Sequence, residues 1–245
     1  MPRFFALGTN LLGGRAIIRG RDAEHIKVLR LRPGEEMTIC DGNGTDYKCR
    51  LVSADKEQVE AEVIEVVPCP AEPSVKVTVL CGLPKGDKTD YIIQKCVEAG
   101  AYEIMFFDSE RCIAKPDKPE KKLERWQRIA EEAAKQSGRG IIPHIGELTT
   151  FKTADMSAYD LILVAYEDER QTSLKEVLRA NMKAENIAVI IGPEGGLEIG
   201  EVESLINKGG KAVSLGRRIL RTETAGMATV AMILYAVSYT PLTLP

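Results

Sequence analysis

The chain has 245 residues, of which 44% are hydrophobic and 28% are charged, and its formal net charge is −3. This composition is typical of a globular protein with a sizeable core, and it excludes a disordered chain or a fibrous repeat. The slight excess of acidic residues also excludes a protein that simply coats nucleic acid, although local basic patches remain possible.

Neither membrane insertion nor metal binding is indicated. The longest apolar stretch, residues 225–237, is too short to span a bilayer, and the N-terminus has no apolar run long enough for a signal peptide. Only two histidines exist, and no cysteines are paired as C-x-x-C, so we expect no metal. We expect a cytoplasmic protein whose cysteines are single reduced thiols: Cys40, Cys49, Cys69, Cys81, Cys96 and Cys112.

The first 70 residues are predicted to form a small β-rich domain. A helix is expected over residues 22–29 with Asp22 as its N-cap, followed by β-type runs at 36–40, 45–54 and 58–67. The DGNG sequence at 41–44 is typical of a hairpin turn. Residues 1–34 carry a net charge of +5 and residues 35–65 one of −6. This asymmetry fits either a positive binding face or a dipolar surface without a partner.

A proline-rich tract at 68–73 is predicted to be a linker, and beyond it strands alternate with helices. Such alternation predicts a parallel sheet covered on both faces. The predicted strands are 75–83, 103–107, 161–165, 187–191 and 212–215, and the predicted helices are 89–99, 119–137, 173–180, 198–208 and 222–237.

Two basic features of this second region have competing interpretations. The sequence GLPKGDKT at 82–89 lacks the spacing of a phosphate-binding P-loop, so it is interpreted as a strand-to-helix connection whose lysines point at a substrate. In helix 119–137, Leu123, Trp126, Ala130 and Ala133 are expected to be buried. Its basic residues, which include Arg125 and Arg128, form either a solvated face or a stripe that follows RNA phosphates.

The strongest local motif is IGPEGGL at 191–197, which follows an apolar strand and precedes a helix. Ligands of open α/β sheets bind at the carboxyl ends of strands, and glycines allow a close approach of the backbone. Without a Lys or Arg, and with the acidic Glu194, the loop suits a ligand with hydroxyls, an amine or a positive centre better than a phosphate. The alternative is a tight turn that binds nothing.

A second motif, SLGRRILRTETA at 214–225, runs from a strand end through a glycine into a helix that is apolar nearly all round. Such a helix must be buried by its own sheet or by a second subunit. Charged residues at its start, Arg217, Arg218, Arg221 and Glu223, form either an Arg–Glu network or one wall of a cleft.

Together these motifs resemble the RsmE family of bacterial 16S rRNA (uracil-N3)-methyltransferases, which belong to the SPOUT superfamily. The resemblance extends from the first residues to about residue 237 and includes HIKVLR at 25–30, SERC at 109–112 and QSGR at 136–139. Two departures exist. Glu198 stands where the family usually has Ser or Thr, which removes a hydroxyl cap, and the tail at 239–245 matches nothing expected of the family.

The resemblance implies a PUA-like β-barrel for RNA binding at 1–70, a SPOUT methyltransferase domain with a C-terminal trefoil knot at 74–238, and a disordered tail at 239–245. It also implies a homodimer that binds S-adenosyl-L-methionine. The implied cofactor site comprises Ala165, Tyr166, Ile191, Gly192, Pro193, Gly195, Gly196, Leu215, Gly216, Ile219, Leu220 and Thr222.

The implied reaction is methylation of N3 of one uridine, U1498 in the family's 16S rRNA substrate, within the small ribosomal subunit. Arg221 is the expected stabiliser of negative charge on the uracil, and Glu223 or Glu194 the expected acceptor of the N3 proton. Alternatives are a SPOUT enzyme for tRNA or another rRNA position, and a non-catalytic RNA-binding assembly factor. RNA contacts are expected from Arg3, Arg15, Arg19, Lys27, Arg30, Lys85, Lys88, Arg125 and Arg128.

Overall fold

The computed structural model describes residues 2–6, 10–12, 14–55, 57–112, 119–150 and 154–237, which form two compact units. Unit 1 comprises residues 1–72 and 134–142, and unit 2 comprises residues 73–133 and 143–245. The tail at 239–245 lies outside the described residues, so its predicted disorder remains a prediction.

Unit 1 is built on a six-stranded sheet in the order β1-β4-β5-β6-β3-β2, with one helix. All pairs are antiparallel except β1 with β4, which is parallel. Strands β4 to β6 confirm the predicted runs, whereas β1 to β3 were not predicted. The elements are β1 (Arg3–Phe5), β2 (Asn10–Leu12), β3 (Arg15–Arg19), α1 (Gly20–Val28), β4 (Glu36–Cys40), β5 (Thr45–Ala54) and β6 (Gln58–Pro68).

One local prediction for unit 1 was wrong. Helix α1 begins at Gly20, with Arg19 rather than Asp22 at the N-cap, because the chain turns directly from β3 into the helix through a positive φ at Gly20. The boundary between the two units falls within the proline-rich tract that was predicted to be a linker, and the first residues of that tract are hydrogen-bonded to unit 1. Pro68 ends β6 opposite Thr45, and the Cys69 N–H donates to the Gly44 carbonyl.

A buried polar cluster holds Arg3 inside unit 1. The Arg3 guanidinium donates to both carboxylate oxygens of Asp46, at 2.6 and 2.7 Å, and to the Cys40 and Cys69 sulfurs, at 2.7 and 3.0 Å. It also donates to the Arg139 carbonyl at 3.2 Å. Burial and the neighbouring Asp46 carboxylate raise the pKa of the Cys40 thiol well above its usual range, so this thiol is protonated at neutral pH. These contacts fasten the N-terminal strand to the rest of the unit.

Unit 2 contains a six-stranded parallel sheet in the order β12-β10-β11-β7-β8-β9, which confirms the predicted α/β class. A helix separates each pair of successive strands except β9 and β10, between which the described residues form no helix. Only β9, a strand of two residues, was not predicted. The elements are β7 (Lys76–Gly82), α2 (Lys88–Glu98), β8 (Glu103–Phe107), α3 (Pro119–Gln136), β9 (His144–Ile145), β10 (Leu161–Ala165), α4 (Leu174–Ala180), β11 (Asn186–Ile191), α5 (Ile199–Asn207), β12 (Lys211–Val213) and α6 (Thr222–Val237).

Of the α3 residues that were predicted to be buried, Trp126, Ala130 and Ala133 are buried, whereas Leu123 is only half-buried. Trp126 of α3 packs on Phe106 of β8, with ring centroids 5.0 Å apart. Helix α6 buries one face, including Val230 and Ile233, but leaves Tyr235 78% exposed, so its own unit does not cover it all round.

The trefoil knot stays a prediction. Among the described helices, none combines the length and the apolar character that a membrane crossing needs.

Candidate functional site

Three loops leave neighbouring strands of unit 2 side by side. Ala165, which ends β10, lies in register with Ile191 at the end of β11 and with Val213 at the end of β12. Because the three strands are parallel, the residues that follow them emerge at the same edge of the sheet. The Tyr166 N–H donates to the Val213 carbonyl at 3.2 Å and so ties the first loop to the third.

The glycine loop at 192–196 depends on its lack of side chains. A Cβ on Gly192 would lie 3.2 Å from Leu197 Cγ and from its backbone nitrogen, and a Cβ on Gly82, at the end of β7, would lie 2.5 Å from Pro193. Gly196 has a φ of +75° and donates its N–H to the Pro193 carbonyl at 2.9 Å. The loop is therefore a tight turn pressed against β7.

The loop at 214–222 is anchored at both ends. Ser214 exchanges backbone hydrogen bonds with the start of α4, donating to the Thr172 carbonyl and accepting from the Leu174 N–H. At the other end, the buried Thr222 hydroxyl donates to the Gly192 carbonyl at 3.0 Å. Between these anchors Ile219 is 87% exposed. The second and third loops are thus joined through one side chain.

The structure places every residue of the predicted cofactor site in these three loops or at the strand and helix ends that border them. The predicted set is Ala165, Tyr166, Ile191, Gly192, Pro193, Gly195, Gly196, Leu215, Gly216, Ile219, Leu220 and Thr222, and all of these are described. Its buried members are Ile191, Pro193 and Thr222. Their role as ligands remains a prediction.

The predicted proton acceptors meet at a lysine that was predicted to bind RNA. Lys88 Nζ lies 3.0 Å from Glu194 Oε1 and 3.6 Å from Glu223 Oε2. Glu194 Oε1 also accepts a hydrogen bond from the Lys85 N–H at 3.2 Å. Glu223 Oε2 is buried and has no hydrogen-bond donor among the described residues. Arg221 is exposed, and no described residue accepts a hydrogen bond from its guanidinium, so the Arg–Glu network considered for this loop is not formed.

Residues 109–111, which follow β8, support the glycine loop, and the predicted site did not include them. Arg111 donates from Nε to Glu198 Oε1 at 2.6 Å and from Nη1 to the Gly195 carbonyl at 3.0 Å. The Ser109 hydroxyl and the Glu110 N–H donate to Glu201, which also accepts from the Glu198 N–H. The SERC sequence at 109–112, which lies just after the predicted strand at 103–107, is the feature of the sequence that could have identified these residues.

Arg111→Met is expected to loosen the glycine loop with little effect on Tm. The Arg111–Glu198 pair is more than one-third exposed, so it contributes little to global stability, but the contact with the Gly195 carbonyl restrains the loop. Amide hydrogen exchange at Gly196 should become faster, while exchange in β11 stays slow. Arg170→Met, which removes another exposed arginine of unit 2, is the control. Unchanged exchange at Gly196 would contradict this role.

The other predicted RNA contacts divide between the two units. In unit 1, Arg3 is enclosed by the cluster described above, whereas Arg15 pairs with Glu60 at 2.6 Å and Arg19 donates to Gln58. Lys27 is half-buried and Arg30 is exposed. In unit 2, Lys85 and Arg128 are exposed, and Arg125 pairs with Asp90. No group of three metal-binding side chains lies together among the described residues.

Comparisons with known proteins identify the family. A profile described as an RNA methyltransferase domain matches residues 71–234, and one described as an RNA methyltransferase PUA domain matches residues 18–64. Ribosomal RNA small subunit methyltransferase E of Bacillus subtilis is 37% identical over 89% of this chain and 89% of its own length. The Mycobacterium tuberculosis protein of the same name is 33% identical over 90% of this chain and 85% of its own length.

Solved structures give the same result. Ribosomal RNA small subunit methyltransferase E from Neisseria gonorrhoeae, bound to S-adenosyl methionine, is 32% identical with a TM-score of 0.82, over 96% of this chain and 97% of that one. A methyltransferase from Legionella pneumophila in complex with the same cofactor is 27% identical with a TM-score of 0.77, over 96% and 97% of the two chains. The chain therefore belongs to the RNA methyltransferase family that includes the ribosomal RNA small subunit methyltransferases E.

Proposed function

We propose that this protein transfers a methyl group from S-adenosyl-L-methionine to N3 of one uridine, the family's U1498, in 16S rRNA of the small ribosomal subunit. The observation that carries the proposal is the alignment of loops 165–166, 191–196 and 215–222 at three neighbouring strand ends, in a chain of this family. Because the substrate is a ribosomal particle, the activity belongs to the cytoplasm.

The residues of these loops fit that cofactor. The glycine loop presents backbone groups at a place where even a Cβ on Gly192 would be crowded, and the third loop adds the apolar Leu215, Ile219 and Leu220. The acidic Glu194 beside them suits a positive sulfonium better than a phosphate. When bound, the cofactor supplies an electrophilic methyl group, so the protein has to position the base and handle its proton.

The protein's own groups have two tasks in this reaction. Uridine N3 carries a proton that must leave, and negative charge then grows on the ring and its carbonyl oxygens. Arg221, whose guanidinium has no acceptor among the described residues, donates to that charge. Glu223 is favoured over Glu194 as the proton acceptor, because its Oε2 accepts no hydrogen bond whereas Glu194 already accepts two.

Substrate selection is assigned to RNA shape and to the basic residues outside the three loops. Phosphate contacts orient the RNA without identifying a base, so one uridine is chosen through the fold of the particle. The exposed side chains of Met232 and Tyr235 on helix α6 support a homodimer that covers this face. Unit 1 contributes RNA contacts as a PUA-like domain.

The test is methyl transfer from labelled S-adenosyl-L-methionine to small ribosomal subunits that lack the modification, followed by mapping of the methylated nucleotide. We expect one methyl group per subunit on N3 of the predicted uridine. Methylation of tRNA or of another rRNA position would replace the proposed substrate. Cofactor binding without transfer to any RNA would favour the assembly-factor alternative.

A further inference from the structure

Lys88 lies between two carboxylates that come from different loops. It is the first residue of α2, Glu194 belongs to the glycine loop, and Glu223 lies in the first turn of α6. Its ammonium group is 3.0 Å from the first carboxylate and 3.6 Å from the second. About a third of the Lys88 and Glu194 side chains is exposed, against 17% for Glu223, so the cluster sits at the edge of the site.

We propose that Lys88 is a positioning residue that holds Glu194 and Glu223 in place, rather than a contact to RNA phosphate. The effect of Lys88 on catalysis rests on the proposed function, whereas its contacts with the two carboxylates do not. One ammonium group thereby joins the start of α2, the glycine loop and the start of α6.

The local charges favour this role over phosphate binding. Lys88 with its two carboxylates carries a net charge of −1, so an approaching phosphate would meet an acidic cluster and would have to displace an existing ion pair. Lys85, three residues earlier, is exposed, and its backbone rather than its side chain contacts Glu194. A phosphate contact in this segment is therefore better assigned to Lys85.

Loss of the Lys88 amine would bring two like charges together without a cation. Glu223 Oε2 is buried, so water would screen it poorly. The buried Cys81 thiol of β7 also interacts with both carboxylates. Along the chain, Asp87 precedes Lys88 and Arg221 lies two residues before Glu223. Without Lys88 the two carboxylates should move apart or share a proton, and either change misplaces Glu223.

The ionisation of Glu194 responds to the same contact. Partial burial raises the pKa of this carboxyl, but the hydrogen bonds from Lys88 and from the backbone outweigh that effect and hold the pKa below its usual range. Glu194 is therefore ionised at neutral pH, and its titration reports directly on whether the Lys88 ammonium is in place.

The experiment compares Lys88→Met, Lys88→Arg and Lys85→Met in the full-length protein. For Lys88→Met we expect kcat for methyl transfer to fall by about 10²-fold, the effect of a misplaced reacting group, with KM for the ribosomal subunit unchanged. Lys88→Arg should restore much of kcat because it keeps the cation. Lys85→Met should instead raise KM and lower the slope of log affinity against log salt by about 1, as loss of a phosphate contact does.

A second measurement does not need the reaction. In protein labelled with ¹³C at glutamate Cδ, with Glu194→Gln used for assignment, Lys88→Met should move the Glu194 titration to higher pH, and Lys88→Arg should not. An unchanged titration, or a raised KM with unchanged kcat for Lys88→Met, would overturn the inference. If the wild-type protein methylates no RNA, the proposed function fails, and the titration still decides the position of Lys88.

Discussion

Arg221→Ala is expected to reduce methyl transfer by about 10²–10³-fold, the usual cost of removing one preorganised donor from a site where negative charge develops. Arg221 is exposed at the start of α6, next to the loop that ends at Thr222, and no described residue accepts a hydrogen bond from its guanidinium. Folding should therefore be unaffected. Single-turnover methyl transfer to small ribosomal subunits measures the rate, and calorimetry with S-adenosyl-L-methionine should show nearly unchanged affinity.

Arg218→Ala is the matched control, because it removes the same charge from the same exposed loop. A small and salt-sensitive loss is expected for this variant. Arg221→Lys should recover only part of the rate, since a lysine keeps the charge but not the planar pair of donors. Near-normal turnover of Arg221→Ala would remove the residue from the mechanism.

Gly82→Ala is expected to disrupt the glycine loop and with it cofactor binding. A Cβ at this position would lie 2.5 Å from both Pro193 Cδ and the Pro193 backbone nitrogen, so the backbone of the loop has to move. Overpacking of this kind costs about 1–3 kcal/mol of stability. If the loop moves to relieve the clash, affinity for S-adenosyl-L-methionine should fall by roughly tenfold or more, because a loss of about 1.4 kcal/mol of binding free energy weakens binding tenfold.

Gly200→Ala is the control, because a Cβ there meets no atom within 4 Å and the residue lies in the first turn of α5. Alanine is the better helix former, so this variant should be as stable as the wild type or slightly more so. Thermal unfolding and calorimetry on both variants provide the comparison. Wild-type stability and affinity in Gly82→Ala would show that the loop is not pressed against β7.

The sequence predicts the parallel sheet of unit 2 well, because its longer strands are largely apolar runs that alternate with helices along most of the unit. It does not predict β1, β2, β3 or β9. Strands β1, β2 and β9 have only two or three residues, too few to show periodicity, and β3 has five. Strand β1 exists because it pairs with β4, more than thirty residues further along the chain, and no local pattern reports such a pair.

For the candidate site, the sequence predicts which loops meet but not what their charges do. Parallel strand ends bring loops together by geometry alone, so the glycine motif and the LGRRILRTETA motif could be placed side by side. Arg3 and Lys88 carry the positive charge that binds RNA phosphates, so the sequence predicts both as RNA contacts. In the structure, Arg3 is enclosed by Asp46 and two cysteine thiols, and Lys88 lies between two carboxylates. Such partners are fixed by tertiary packing.

Glu198 shows the same limit at a single position. Its sequence context indicates a lost hydroxyl cap and a slightly weaker helix start. In the structure its carboxylate instead accepts from Arg111, a residue 87 positions earlier, and its N–H donates to Glu201. Arg111 also lowers the pKa of the Glu198 carboxyl, which keeps the ion pair intact at neutral pH.

The discontinuity of unit 1 has a consequence for synthesis of the chain on the ribosome. Gly44 donates its N–H to the carbonyl of Gly140, and Glu72 accepts from the Gly140 and Ile141 N–H groups and from the Arg139 guanidinium. None of these bonds can form until residues 139–141 have left the exit tunnel, by which time residues 73–133 of unit 2 have emerged as well. Unit 1 is therefore the first to be synthesised, but it cannot complete its fold until residues 134–142 are available. A nascent chain arrested before residue 134 should expose the part of unit 1 that these residues cover, and chaperones should bind there.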